Sequence, residues 1–383
     1  MRNVAIDSEV LHFAGALDLE ATPTGFTPRR LPAWTKPQIS DVAFDAVVQM
    51  PAGVRLEVIS TTTTLEIDVQ LTLIRPLPRE LKPAPFELMV DGEVVDLVET
   101  SVGHVINLGP ADGEISFEVG EPTTVAFAGL PAELKRIELW LPHASAVDLR
   151  ALRVDDGATV EAPPFGRARR WVHYGSSISH CAGALTPTWT WPAIVARTVG
   201  LDHTNLGFAG QCMLDQFVAR TIRDLEVDVI SMKVAANIIA EDAMHERPFG
   251  PALHGFLDTI REGKPDTPIL VVSPIFSPIG ENHPGPLRSD AAGRTVAVEG
   301  SAELRRTSLT MQTMRAAIET VVKVRRELGD ENLHYLSGLE LFGADDVGDL
   351  PDLLHPNDAG NQRIAERFVR HAFATGGPLA APV

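Results

Sequence analysis

Two rhythms of apolar residues divide this sequence, and they change over near residue 170. Up to that point the rhythm is that of short strands. Leu65, Ile67, Val69, Leu71 and Leu73 alternate with Glu66, Asp68, Gln70 and Thr72. A period of two turns one face of a strand to a core and leaves the other wet. The run PFELMVDGEVVDLVE places two apolar segments around Asp91-Gly92, which predicts a hairpin. HVINL (104–108), ISFEV (115–119), TVAFAG (124–129) and RIELWLP (136–142) follow, divided by Gly, Pro and Asp. This spacing predicts an all-β sandwich, jelly-roll-like, over residues 1–166, with a covering or substrate-positioning role. EAPPFGRARR (161–170), with two prolines and a glycine, reads as the joint, and Arg167, Arg169 and Arg170 as its exposed arginines.

From residue 171 strand-like and helix-like runs take turns. Strands are expected in WVHYG (171–175), HTNLGFAG (203–210), VDVISMKVA (227–235), TPILVVSPIF (267–276) and LHYLSGLELF (333–342). Helices are expected over 190–199, 213–224, 248–263, 301–328 and 358–373. The alternation predicts a parallel α/β sheet with helices on both faces over residues 167–383, with ligands at the C-terminal strand ends. In the longest helix Leu304, Leu309, Met311, Met314, Ile318, Val321, Val322 and Leu328 are read as a core stripe. The polar loop 277–300 follows a strand end and is expected to wall a site.

Charge narrows the partners. The 51 acids outnumber the 33 bases for a net charge of −18, which disfavours nucleic acid and anionic membranes. Only Cys181 and Cys212 are present, too few for a disulfide scaffold, and no Cys/His set has zinc spacing. The expectation is a cytoplasmic protein without metal, secretory leader or transmembrane helix. Nothing in the sequence sets an oligomeric state.

Four places on or after strand ends carry chemistry. The first is Gly175-Ser176-Ser177-Ile178-Ser179, where a buried strand stops at a glycine and hands over to three candidate serines. Asp352 and His355, in the turn DLLHPN, are spaced so that the carboxylate can orient the imidazole. A serine hydroxyl needs such a base, and a developing oxyanion needs donors. The backbone N–H of Gly210 in NLGFAG and the side-chain amide of Asn237 in VAAN are suitable. Cys181 reads as a packed thiol and Cys212 as pocket wall or core. Trp189 and Trp191 either stack on a ligand or pack, and His283 is a candidate for facing the site from the long loop.

In their order these blocks resemble the SGNH (GDSL-type) hydrolase family: GSSIS its first block, NLGFAG its second, VAAN its third and DLLHP its D-x-x-H-P block. The resemblance implies an SGNH-hydrolase-like sheet and selects Ser177 as nucleophile, His355 as base and Asp352 as orienting acid. It further implies an oxyanion hole made by the N–H of Ser177, the N–H of Gly210 and the amide of Asn237. Ser176 stands where the family has aspartate, and is left as a candidate substrate contact. Ala235 replaces the usual glycine and Ile238 the usual aspartate. The two-part layout is similar to GDSL-type salicylyl acyltransferases of tetracycline biosynthesis. That implies transfer of an aromatic acyl group from a coenzyme A thioester to a polyketide hydroxyl, with no resident cofactor and acyl-CoA only as co-substrate. The alternatives are an esterase acting on small or carbohydrate esters, and a non-catalytic binding protein on the same fold.

Overall fold

Asp91 and Gly92 both take positive φ, 49° and 89°, as a two-residue hairpin turn requires. They join strands Ala84–Val90 and Glu93–Thr100 in a computed structural model that describes all residues except 110–113, 165–167, 291, 299–306 and 382–383. The chain forms two compact units, Met1–Arg167 with Leu185–Thr188, and Ala168–Ala184 with Trp189–Val383.

The N-terminal unit holds an eight-stranded and a six-stranded sheet. Its longest strand, Thr64–Pro76, buries Leu65, Ile67, Val69 and Leu71 completely on the face the alternation predicted. They share one core with Leu56, Val58, Phe86 and Leu88 of the other sheet. The neighbouring strand Ala146–Val154 was not legible in the sequence. Its register shifts between Leu149 and Ala151, so the buried positions Val147 and Leu149 fall out of phase with Leu152 and Val154. A bulge of this kind erases the period of two. The short helix Val42–Val48, capped by Asp41, also interrupts the expected all-β pattern.

The C-terminal unit is built on a five-stranded parallel sheet in the order Leu201–Gly207, Arg169–Gly175, Val229–Lys233, Ile269–Val272, Leu333–Leu336. Gly175 lies in register with Gly207 on one side and Lys233 on the other, so three chemistry-bearing strand ends stop at one level. The last two strands are shorter than expected. After Leu336 the chain enters a 3-10 turn at Gly338, where a Cβ would lie 2.3 Å from the Ser273 carbonyl oxygen.

Among the described residues the longest helix spans Glu246–Gly263, and the next starts at Met311 and runs to Glu327, where one helix over 301–328 was expected. Thr310 caps the latter through the Thr313 N–H, and residues 299–306, with Leu304, lie outside the described part. Met311, Met314, Ile318, Val321 and Val322 are buried as expected, but Leu328 is 82% exposed because it caps the helix beyond the packed stripe. Arg170 is no free joint residue, since it pairs with Glu226 and Asp228. Arg169 donates to the Leu379 carbonyl, and Arg167 lies outside the described residues. No helix among the described residues is long and apolar enough to cross a membrane.

Candidate active site

The first strand of the parallel sheet ends at Gly175 for reasons of space rather than conformation. A Cβ there would lie 2.2 Å from Ser179 Oγ and 2.7 Å from Ser179 Cβ. Gly207, its partner in register, is as constrained, with a Cβ position 2.5 Å from the His180 nitrogen. The two glycines let the short helix Ser177–His180 sit directly on the strand ends. Ser176 caps that helix, its side chain accepting from the Ile178 N–H at 3.4 Å. It is fully buried, so the expectation that Ser176 contacts substrate is corrected: its hydroxyl serves the turn. The cap also explains why serine can replace aspartate, since both offer the acceptor a helix start needs.

Ser177, the first helical residue, is only partly buried, and its Oγ lies 2.9 Å from His355 Nε2. His355 Nδ1 lies 2.7 Å from Asp352 Oδ2. A carboxylate only accepts, so Nδ1 carries the proton and Nε2 of the neutral ring accepts from the Ser177 hydroxyl. Asp352 Oδ1 also accepts from the backbone N–H of His355 at 2.7 Å and of Leu354 at 3.1 Å. Burial pushes the Asp352 pKa up, but the bonds and charge of His355 and the two N–H donors outweigh it and hold the carboxyl at about 2. The Asp352 side chain is 20% exposed and that of His355 42%.

The turn bearing this pair is tied to the long loop. Ser277 Oγ donates to the Leu353 carbonyl at 3.0 Å, and the Thr295 N–H to the Asp352 carbonyl at 2.9 Å. Within the loop, Leu287–Ser289 and Thr295–Ala297 form an antiparallel hairpin. His283 is exposed and shares no hydrogen bond with Ser177, Asp352 or His355 among the described residues.

Asn237 is buried in the helix Ala236–Ala240, and its Oδ1 accepts from the Cys212 N–H at 3.2 Å. That bond leaves Nδ2 as the donor end. Ala235, before this helix, has φ +86°, a left-handed conformation that glycine takes freely and alanine does not. Gly210 also has positive φ, +74°, with open space where a Cβ would stand. Cys212 is fully buried and its thiol is pushed up to about 12 by burial, so it is core, not pocket wall. Cys181 is likewise buried and pushed up to about 12, an inert thiol.

The two tryptophans part company. Trp191 is fully buried, donates from Nε1 to the Ile178 carbonyl at 2.8 Å, and packs against Trp171, His173 and Phe368. Ligand stacking by Trp191 is therefore corrected to core packing beneath the turn. Trp189 remains 44% exposed.

Sequence reading missed a buried polar chain under the turn. Trp171 Nε1 donates to Ser231 Oγ at 2.8 Å, Ser231 Oγ bonds His173 Nδ1 at 2.7 Å, and His173 Nε2 bonds Ser179 Oγ at 2.7 Å. Ser231 Oγ accepts from the indole and keeps a lone pair and its own proton for the bond with Nδ1, so either neutral tautomer of His173 closes the chain to Ser179. Burial, with Lys233 and His203 nearby, holds His173 well below its ordinary pKa and keeps it neutral. The only signal was polar side chains, His173 and Ser231, inside apolar strands.

Comparison with known proteins bears on the fold. Residues 168–280 match the model of the GDSL-like lipase/acylhydrolase family. The chain is similar to the structure of the salicylyl-acyltransferase SsfX3 from a tetracycline biosynthetic pathway, with 29% identity, 96% of each chain covered and a TM-score of 0.81. A putative GDSL-like lipase from Bacteroides ovatus shares the fold at 19% identity, 94% of each chain and a TM-score of 0.67. So does a family two carbohydrate esterase from Clostridium thermocellum, at 14% identity, 94% of this chain, 97% of that chain and a TM-score of 0.59. No curated protein sequence matches the chain. The fold is thus GDSL/SGNH-like, a parallel α/β sheet with preceding all-β sheets.

Proposed function

We propose that this chain, GDSL-like over residues 168–280, is a serine acyltransferase that moves an aromatic, salicylyl-type acyl group from a coenzyme A thioester to a hydroxyl of a polyketide. The unbroken line from Asp352 Oδ2 through His355 to Ser177 Oγ carries the acyl-transfer chemistry, at 2.7 and 2.9 Å. The Ser177 oxygen attacks the acyl carbonyl carbon while its proton passes to His355 Nε2, and Asp352 stays anionic and steadies the imidazolium. The N–H groups of Ser177 and Gly210 and the amide of Asn237 are assigned to the oxyanion. Collapse breaks the carbon–sulfur bond of the thioester, and the leaving thiolate takes the proton from His355 and departs as the thiol. The acceptor hydroxyl then gives its proton to the same nitrogen and attacks the acyl-enzyme carbonyl carbon, and the bond to Ser177 Oγ breaks as that oxygen takes the proton back from His355.

Likeness to the salicylyl-acyltransferase over nearly the whole chain favours transfer of a salicylyl-type group over hydrolysis. Two free, buried cysteines suit a reducing cytoplasm. A second reading, hydrolysis of small esters, draws support from the 42% exposure of His355, which admits water as acceptor. The deciding experiment incubates the protein with salicylyl-CoA and with p-nitrophenyl acetate, with and without an alcohol acceptor. Ester formation with acceptor is expected. Fast hydrolysis indifferent to acceptor would overturn transfer in favour of the esterase, and absence of an acyl-enzyme with either donor would overturn both.

A further inference from the structure

Lys233 is a charged group that the mechanism above leaves unused. It ends the strand Val229–Lys233, is 1% exposed, and its Nζ has no hydrogen-bond partner among the described residues. An ammonium held away from water without a partner is costly and rarely kept without use. Its place is specific. Lys233 stands in register with Gly175, two residues before the candidate nucleophile, and four residues before Asn237. Side chains alternate along a strand, so Lys233 shares the face of Ser231, which bonds His173 and Trp171 beneath the Ser177–His180 turn.

The titratable groups bearing on it are Cys212, Cys181 and His173. Both thiols are pushed up to about 12 by burial and His173 is held neutral, so none supplies a counter-charge near pH 7. Asp358 and Asp215 bear on those thiols. A carboxylate at position 176, next to Gly175, would have placed a negative charge beside the ammonium, and this chain has a serine there.

We propose that Lys233 is an electrostatic positioning residue of the acyl-transfer site, an uncompensated positive charge under the Ser177 turn that favours the oxyanion formed when Ser177 attacks. This rests on the reading of Ser177 as nucleophile. The field of a charge in a dry interior is weakly screened, so it reaches the oxyanion without touching it. Burial brings the Lys233 pKa down to about 8, which places loss of the charge within a testable range.

The test is the burst of p-nitrophenol from p-nitrophenyl acetate, followed by stopped flow from pH 6 to 10 in wild type, Lys233→Met and Lys233→Arg. Wild type should lose acylation rate above about pH 8. Lys233→Met should acylate about tenfold or more slowly at pH 7, with KM little changed, and lack the alkaline decline. Lys233→Arg stays charged and should keep the neutral rate with no decline. A folded Lys233→Met with the wild-type rate, or one that retains the decline, overturns the proposal. Should Lys233→Met fail to fold, Lys233→Arg decides: a flat profile above pH 8 supports the proposal and a wild-type decline overturns it. A wild type that forms no acyl-enzyme with either p-nitrophenyl acetate or salicylyl-CoA sinks the Ser177 reading and this proposal together, whereas normal acylation with no effect of Lys233→Met sinks this proposal alone.

Discussion

The backbone N–H of Cys212 donates to the side-chain oxygen of Asn237 at 3.2 Å, and this single bond orients the amide. With Oδ1 engaged, Nδ2 is the end available to a ligand. The loop after the second strand thus sets the donor on the helix after the third. Cys212 is itself held, since the Tyr174 hydroxyl bonds its thiol and accepts from the Leu214 N–H at 3.1 Å.

Asn237→Asp separates holding from donating. The variant can still accept from Cys212 but has no N–H to offer. If the amide serves the oxyanion, kcat should fall roughly 10²–10³-fold with little change in thermal stability. Steady-state kinetics beside a melting curve measures both, and an unchanged kcat removes Asn237 from the site.

Ser177→Ala and Ser176→Ala should behave differently. The first removes the atom 2.9 Å from His355 Nε2, and no acyl-enzyme should be trapped or seen by intact-protein mass spectrometry. The second removes a cap, which costs about 0.5–2 kcal/mol of stability, but leaves the nucleophile and a measurable acyl-enzyme. The opposite pattern would transfer the role to Ser176.

Acid should weaken the protein through Asp352. Its folded pKa, about 2, lies below its ordinary 3.8, so its contribution is complete above about pH 4 and is lost as pH falls toward 2. The difference corresponds to up to about 2 kcal/mol. Urea unfolding at pH 5 and pH 2.5 should show a larger loss in wild type than in Asp352→Asn, which has no such proton to take up. Equal losses would mean that the carboxylate is not held down in the folded state.

Ala235→Gly should stabilise. The residue has φ +86° and is fully buried, so the strain of a side chain in that region is relieved in place. Part of the gain is offset by the looser unfolded chain, leaving about 0.5–1 kcal/mol. Differential scanning calorimetry should show a raised Tm, and a lowered one would mean that the Ala235 methyl is worth more as packing than its backbone costs.

Ser177, Asp352 and His355, which the structure brings into one hydrogen-bonded line, stood out because their blocks are local in sequence, Ser177 just after a strand end and the Asp-His pair in the turn before the last helix. Gly175 was legible as a glycine but for another reason than the true one: its φ is ordinary, and only the packed helix shows that Ser179 takes the space of a Cβ. Trp191 could not be placed in advance, since a tryptophan after a serine turn reads alike whether it faces ligand or core. Leu328 kept the helical period yet lies past the last packed turn. The strand Ala146–Val154 was hidden by its bulge.

By itself the sequence determined the change from β sheets to a parallel α/β sheet and the short-range motifs, because periodicity and turn chemistry act between neighbours along the chain. Only the tertiary structure decided which side chains meet. The 178-residue separation between Ser177 and His355 closes to 2.9 Å because their segments meet at one end of the sheet. Packing also buries Lys233 without a hydrogen-bond partner for its Nζ among the described residues, which no local pattern encodes.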